Sequence, residues 1–183
     1  HKSVLLVIPA YIIADLLSRA SLKKWHYGVG VLLILSLIFG QDIYRRIIFY
    51  FYPYYENSMF DNGQISWANI GKCVGTLVLC LFCYRNCIRE DRRYRYYFYL
   101  NLMGLVVYCC GSFIPEVSRV GYYLIAAQVF LIPGALQRIE KKWFRLLCTV
   151  GCVAAFLLYF ALLLRGMGDV EVRLLPYLNW IFN

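Results

Sequence analysis

Charge is scarce in this chain. Of 183 residues, 16% are Asp, Glu, Lys or Arg and 62% are hydrophobic, with a mean hydropathy of +0.60. A soluble domain of this length needs more polar surface to cover its core, so the bilayer is the solvent that fits. Acids and histidines are scarcer still: 10 Asp and Glu against 19 Lys and Arg, and two histidines. That shortage argues against a metal centre. No Walker loop, Rossmann fingerprint, nucleophile elbow or HExxH is present, which argues against a nucleotide-driven enzyme and against a bound cofactor. Internal repeats, low-complexity tracts and a small-residue signal-peptide cleavage pattern are missing too. The chain also lacks an initiator Met and starts almost directly in an apolar run, so it reads as the C-terminal part of a larger membrane protein.

The net charge of +9 is not a nucleic-acid footprint, because no RNA or DNA motif accompanies it. Most of it lies in short loops beside apolar segments, where anionic membrane lipids account for it. Eight cysteines occur. Cys73, Cys80, Cys83 and Cys87 fall along the third apolar segment and just past its end, Cys109 and Cys110 in the fourth, Cys148 and Cys152 in the sixth. None falls in an outward loop, so a secreted disulfide framework is not expected. Cys80-x-x-Cys83 is half a zinc site with no second half, and the cysteines read as small packing residues.

Six apolar segments are present, at residues 4–17, 27–41, 65–84, 96–114, 120–136 and 146–164. The expected fold is all-α: a polytopic transmembrane helix bundle of about six membrane-spanning helices, forming one transmembrane domain over 1–183. The first two segments are short, and the second is expected to continue through Asp42 to Arg46. The turns after the first, third and fifth segments carry Arg19/Lys23/Lys24, then Arg85/Arg89/Arg92/Arg93/Arg95, then Arg138/Lys141/Lys142/Arg145. The positive-inside rule puts all three in the cytoplasm. Residues 40–64, 111–119 and 165–183 then face outward. Tyr and Trp near the proposed interfaces (Trp25, Tyr27, Tyr94, Tyr96, Tyr97, Tyr99, Trp143) agree. Residues 42–51 predict an interfacial helix broken before Pro53. Residues 165–183 predict a tail resting on the outer leaflet.

On the outward side Arg119 stands out. It opposes the positive-inside bias and places a cation at the positive end of a helix dipole. Tyr122 and Tyr123 follow at i+3 and i+4 on the same face. A guanidinium with two phenols makes either a clamp for a phosphate or a sugar, or an interfacial anchor. Pro133 should kink that helix and release the carbonyl of Val129. Arg45 and Arg46 lie among aromatics, and Arg173 lies beside Pro176 and Tyr177 in the tail. Lys72 interrupts the third segment in its outer half, either as a functional intramembrane cation or as a snorkelling one. Asp15 pairs with Arg19 at i,i+4. Glu116 is the outward carboxylate nearest Arg119; it, Asp42, Glu56 and Asp61 are each either a general base or a solvated loop acid. His1 is a tag remnant, a structural residue or a proton acceptor.

His1-Lys-Ser3 opening an apolar helix, Arg119-x-x-Tyr122-Tyr123 opening a later one with Ile132-Pro133 further on, and Leu175-Pro176-Tyr177 near the end together resemble the EpsG family. These are bacterial multispanning proteins of exopolysaccharide and capsule assembly, similar to Wzy-type polymerases. The likeness covers the whole chain, matched to the C-terminal half of a longer member. It implies a glycosyltransferase in the bacterial cytoplasmic membrane, with its active face outward and polyprenyl-pyrophosphate-linked oligosaccharide as substrate. Other polysaccharide-assembly proteins would be its partners. Cations over the leaving pyrophosphate would be Arg119, Arg45, Arg46 and Arg173. Tyr122, Tyr123 and Tyr177 would hold sugar. The base would be His1, Glu116 or a residue upstream. The alternatives are a lipid-linked-sugar transporter or flippase component and a non-catalytic scaffold. The orientation is directly testable: with the native cysteines replaced by serine, a membrane-impermeant maleimide on intact cells should label Ser112→Cys and spare Lys141→Cys.

Overall fold

The computed structural model describes residues 2–20, 24–51, 53, 65–112 and 117–166. All regular structure among them is helical. In chain order the elements are α1 (Lys2–Arg19), α2 (Lys24–Phe39), α3 (Gln41–Phe51), α4 (Trp67–Phe82), α5 (Arg92–Cys109), α6 (Val117–Ile125), α7 (Gln128–Gln137) and α8 (Lys142–Gly166). A π-helical turn, Tyr84–Arg89, follows α4, and a 3-10 turn, Cys110–Ser112, follows α5. Two stretches among the described residues are long and apolar enough to cross a membrane: Arg119–Gln137, which runs through α6 and α7, and Lys142–Leu162 in α8. Trp67–Phe82 is apolar but shorter. The chain forms two compact units, His1–Arg138 and Ile139–Asn183.

In the first unit α5 is central and packs against α1, α4, α6 and α7. Its contacts with α6 and α7 run in opposite chain directions: Tyr94 meets Gly134, Gly104 meets Ile125, and Tyr108 meets Gly121. Helices in lipid gain nothing from burying apolar surface against each other, so close approach over small residues has to supply the packing. The two tyrosines lie two heptads apart on α5, on one face. Tyr108 is fully buried, and a Cβ on Gly121 would overlap its ring. Val7, Ala14, Leu100, Leu124 and Ala127 form a second cluster where α1, α5 and α6 converge. Tyr11 of α1 donates to the Tyr123 carbonyl at 2.8 Å, tying α1 to α6.

The basic loops meet at one end of this bundle. Arg92 bonds Asp15 at 2.5 Å and Arg19 bonds Asp15 at 2.7 Å. Arg95 donates to the carbonyls of Ser18 at 3.1 Å and Ile88 at 3.2 Å, and also to that of Arg89. Asp91 is the N-cap of α5, accepting from the Arg93 amide at 2.9 Å. Its other oxygen takes Arg138 at 3.1 Å, while Arg138 also donates to the Asn86 carbonyl at 2.8 Å and covers the Tyr94 ring. The expected Asp15–Arg19 pair is therefore present, with Arg92 as an additional member.

One expectation needs correction. The second apolar segment does not continue to Arg46: α2 stops at Phe39, and the chain turns at Gly40 into α3. A Cβ at Gly40 would come within 2.6 Å of the Ser36 carbonyl and 3.2 Å of the Tyr44 ring, so only glycine permits this approach. Ser36 and Tyr44 hydroxyls hydrogen-bond across the turn at 2.9 Å. The expected helix over 42–51 is α3, which exposes Ile43, Ile47 and Tyr50 in one stripe. The fifth segment is also interrupted at Ala126–Ala127. There, i→i−3 bonds from Val129 to Ala126 and from Phe130 to Ala127 tighten the chain. Pro133 lies within α7.

The second unit is α8. Leu146, Leu147, Val150, Val153, Phe156, Leu157, Leu158, Phe160 and Leu162 are all exposed on it. An apolar helix with no buried face of its own requires lipid around it.

Close packing over Gly121 can be checked by substitution. Gly121→Ala should destabilise the purified protein by about 1–3 kcal/mol through overpacking. Gly71→Ala has open space around its Cβ and should be neutral or stabilising by up to about 1 kcal/mol. Thermal unfolding in one detergent compares the two; equal effects would contradict the packing described.

Candidate functional site

Arg119, Tyr122 and Tyr123 open α6 at the end of the bundle away from the basic loops, since neighbouring Gly121 packs on Tyr108 near the C-terminus of α5. All three side chains are exposed. Tyr123 is fixed through its carbonyl by Tyr11, which leaves its ring outside the core. Lys72 of α4 is half-buried and interacts electrostatically with Tyr122. One turn earlier on α4, Asn69 is buried. Its Nδ2 donates to Ser66 Oγ at 2.8 Å, and its Oδ1 has no hydrogen-bond donor among the described residues. This end thus gathers two cations, two phenols and a buried amide acceptor from two helices. Such a set can hold phosphate oxygens by charge and sugar hydroxyls by hydrogen bonds.

The middle of the bundle holds a different polar group. Gln128 Nε2 donates to Asn101 Oδ1 at 2.7 Å and lies 3.9 Å from Cys73 Sγ; Asn101 Nδ2 donates to the Cys73 carbonyl at 3.1 Å. All three residues are buried. The interruption at Ala126–Ala127 falls directly before Gln128. The bonds join α4, α5 and α7 where apolar packing alone would leave their register free.

At the basic end a cleft of about 500 Å³ is lined by Asp15, Asp91, Arg92, Arg93, Tyr96 and Tyr97. The cysteines are free thiols; Cys73, Cys80, Cys83, Cys87 and Cys110 are buried. Cys87 lies past the end of its apolar segment. The Cys83 thiol hydrogen-bonded to it and burial push its thiol well above the ordinary range, so it stays protonated. Among the described residues no group of three or more His, Cys, Asp or Glu is arranged to hold a metal ion.

The EpsG family model matches residues 1–179. The chain belongs to the EpsG family. Membership makes it a membrane protein of polysaccharide biosynthesis. No curated protein and no solved structure matches it.

Several residues expected at an EpsG site lie outside the described residues: His1, Glu116, Arg173 and Tyr177, together with the alternative acids Glu56 and Asp61. Arg45 and Arg46 are exposed on α3, where Arg45 lies over the Phe49 ring at 5.3 Å. The main packing of α3 is with α2, apart from the packing of α5 on α4 and α6. Sequence reasoning treated Lys72 apart from Arg119 and passed over Asn69, Asn101 and Gln128. The available signal was a lone amide within each apolar segment, a costly placement in lipid.

The buried pair yields a double-mutant cycle. Asn101→Leu should destabilise the protein by about 1–3 kcal/mol, because Gln128 is left buried with an unmet donor. Asn101→Leu with Gln128→Leu should cost less than the sum of the single changes, with a coupling of about 0.6–1.7 kcal/mol. Additive losses in thermal unfolding would show that the two amides act separately.

Proposed function

We propose that this EpsG-family chain polymerises polyprenyl-pyrophosphate-linked oligosaccharide repeat units at the outer face of the bacterial cytoplasmic membrane. In this reading α1, α2, α4, α5, α6 with α7, and α8 supply about six spans. Residues 1–183 belong to one transmembrane domain; the tail expected over 165–183 lies, beyond residue 166, outside the described residues. Loop charge assigns the basic end to the cytoplasm and the Arg119 end to the outside. The observation that carries the proposal is Arg119 with the exposed phenols Tyr122 and Tyr123 at the start of α6, at the end where the positive-inside rule expects few cations.

The reaction joins one glycan to a hydroxyl of another unit. The acceptor oxygen bonds to the anomeric carbon, the bond to pyrophosphate breaks, and the lipid pyrophosphate leaves with the electron pair. Arg119 and Lys72 would offset the charge gathering on the leaving phosphate. Tyr122 and Tyr123 would position sugar hydroxyls. Arg45, Arg46 and Arg173 would add cations, and Tyr177 a further sugar contact. The acceptor proton would go to His1 or Glu116. Lipid acyl chains and other polysaccharide-assembly proteins complete the setting.

One observation favours a second reading, a transporter or flippase component: a helix broken beside a buried polar pair is what alternating-access proteins use. Here, however, Asn101 and Gln128 bond each other inside the packing and face no cleft, which fits a register clamp better than a passage. Purified protein given lipid-linked repeat units separates the readings. Longer glycans indicate polymerisation, lipid moved between leaflets indicates transport, and neither indicates a scaffold. In cells carrying the full-length protein, Arg119→Ala should cut polymer yield by about tenfold or more, the expected loss of a charge-assisted contact. Normal polymer length at normal protein level would remove Arg119 from the mechanism.

A further inference from the structure

We infer that the cleft at the basic end is a specific site for one anionic phospholipid, separate from the polymerisation site. The cleft of about 500 Å³ lies between the C-terminal end of α1 and the N-terminal end of α5, lined by Asp15, Asp91, Arg92, Arg93, Tyr96 and Tyr97. Two carboxylates in its wall at first suggest a cation ligand. Both are already met by guanidiniums: Asp15 by Arg19 and Arg92, and Asp91 by Arg138. Arg93 engages Asp91 only through its backbone amide, and its guanidinium enters no ion pair or hydrogen bond among the described residues. Four guanidiniums against two carboxylates leave an excess positive charge with its free donors at Arg93, which suits a phosphate oxygen.

The neighbouring helix surface says what carries that phosphate. Ile8, Ile12, Asp15 and Arg19 are spaced at i, i+4, i+7 and i+11 and form one stripe of α1. Ile8 is 47% exposed and Ile12 55% exposed. The cleft therefore continues into an uncovered apolar track on the same face. A ligand with an anionic head in the cleft and an acyl chain along Ile12 and Ile8 matches both parts. A soluble phosphate or an acidic peptide would leave the track bare. Tyr96 and Tyr97 in the wall supply the amphipathic rings favoured at headgroup depth. The loops that form the cleft are those the positive-inside rule places in the cytoplasm, where anionic lipid is available.

The test is native mass spectrometry of the full chain in detergent, titrated with phosphatidylglycerol or phosphatidylcholine of the same acyl chains. The protein should retain one phosphatidylglycerol in preference to phosphatidylcholine. Arg93→Gln should weaken retention by about fivefold, the usual effect of one arginine at an anionic headgroup. Arg93 holds nothing in the fold through its side chain, so this variant should unfold at the wild-type temperature. Ile12→Gln should also weaken retention without any change of charge. Arg85→Gln, exposed at the same end but outside the cleft, should leave it unchanged. Equal retention of the two lipids would overturn the proposal. So would equal losses from Arg85→Gln and Arg93→Gln, which indicate diffuse charge. So would displacement by millimolar inorganic phosphate or an acidic peptide, which indicates a soluble ligand.

Discussion

Two carboxylates, Asp15 and Asp91, fix how the helices of the first unit stand relative to one another. Asp15 on α1 takes Arg19 from its own helix and Arg92 from α5; Asp91 caps α5 and takes Arg138 from the end of α7. As ion pairs they are worth little, since Asp15 is 36% exposed and Arg92 53% exposed. Their consequence is geometric. The arginines of three separate loops are drawn to one end, where without the acids they would repel one another. The ends of α1 and α7 and the start of α5 then coincide, so α5 must run antiparallel to its neighbours. The same antiparallel order, held also by Gly121 on Tyr108 and Gly134 on Tyr94, puts Arg119 at the far end.

Much of this was legible from charge and hydropathy. Loop arginines marked the shared end, and each apolar segment corresponds to a helix or, in the fifth, to two. What was not legible depended on contacts between distant residues. The end of α2 at Gly40 needs the Ser36 carbonyl and the Tyr44 ring to show why only glycine fits. Asn101 and Gln128 each look like an isolated polar residue in an apolar run. Their pairing at 2.7 Å appears only once α5 and α7 are in antiparallel register. Lys72 has two readings of equal standing in the sequence, because a cation's role is set by the neighbour it meets and the sequence does not name that neighbour. The interruption at Ala126–Ala127 carries no proline or glycine to announce it, and it falls directly before Gln128.

The middle of the bundle then bears on where chemistry can occur. Tyr108 over Gly121, Tyr94 over Gly134 and the Asn101–Gln128 bond close the interior along the length of α5. A packed core of this kind has little room to rearrange without losing contacts at several levels at once. That packing fits the proposed placement of substrate at an end of the bundle better than a path through its centre.

The two ends differ in how their cations are held, and that difference carries a functional distinction. At the basic end each carboxylate is already bound to arginine, so a ligand meets a partly neutralised surface and can be retained without large changes in charge. Such a site suits a resident lipid. At the other end Arg119 opens α6 beside two exposed phenols, Tyr122 and Tyr123, and Lys72 lies half-buried on α4. Cations placed there suit a group whose negative charge grows as a bond breaks, as the proposed reaction requires. The same element, phosphate beside cation, is thus proposed for retention at one end of α5 and for reaction at the other.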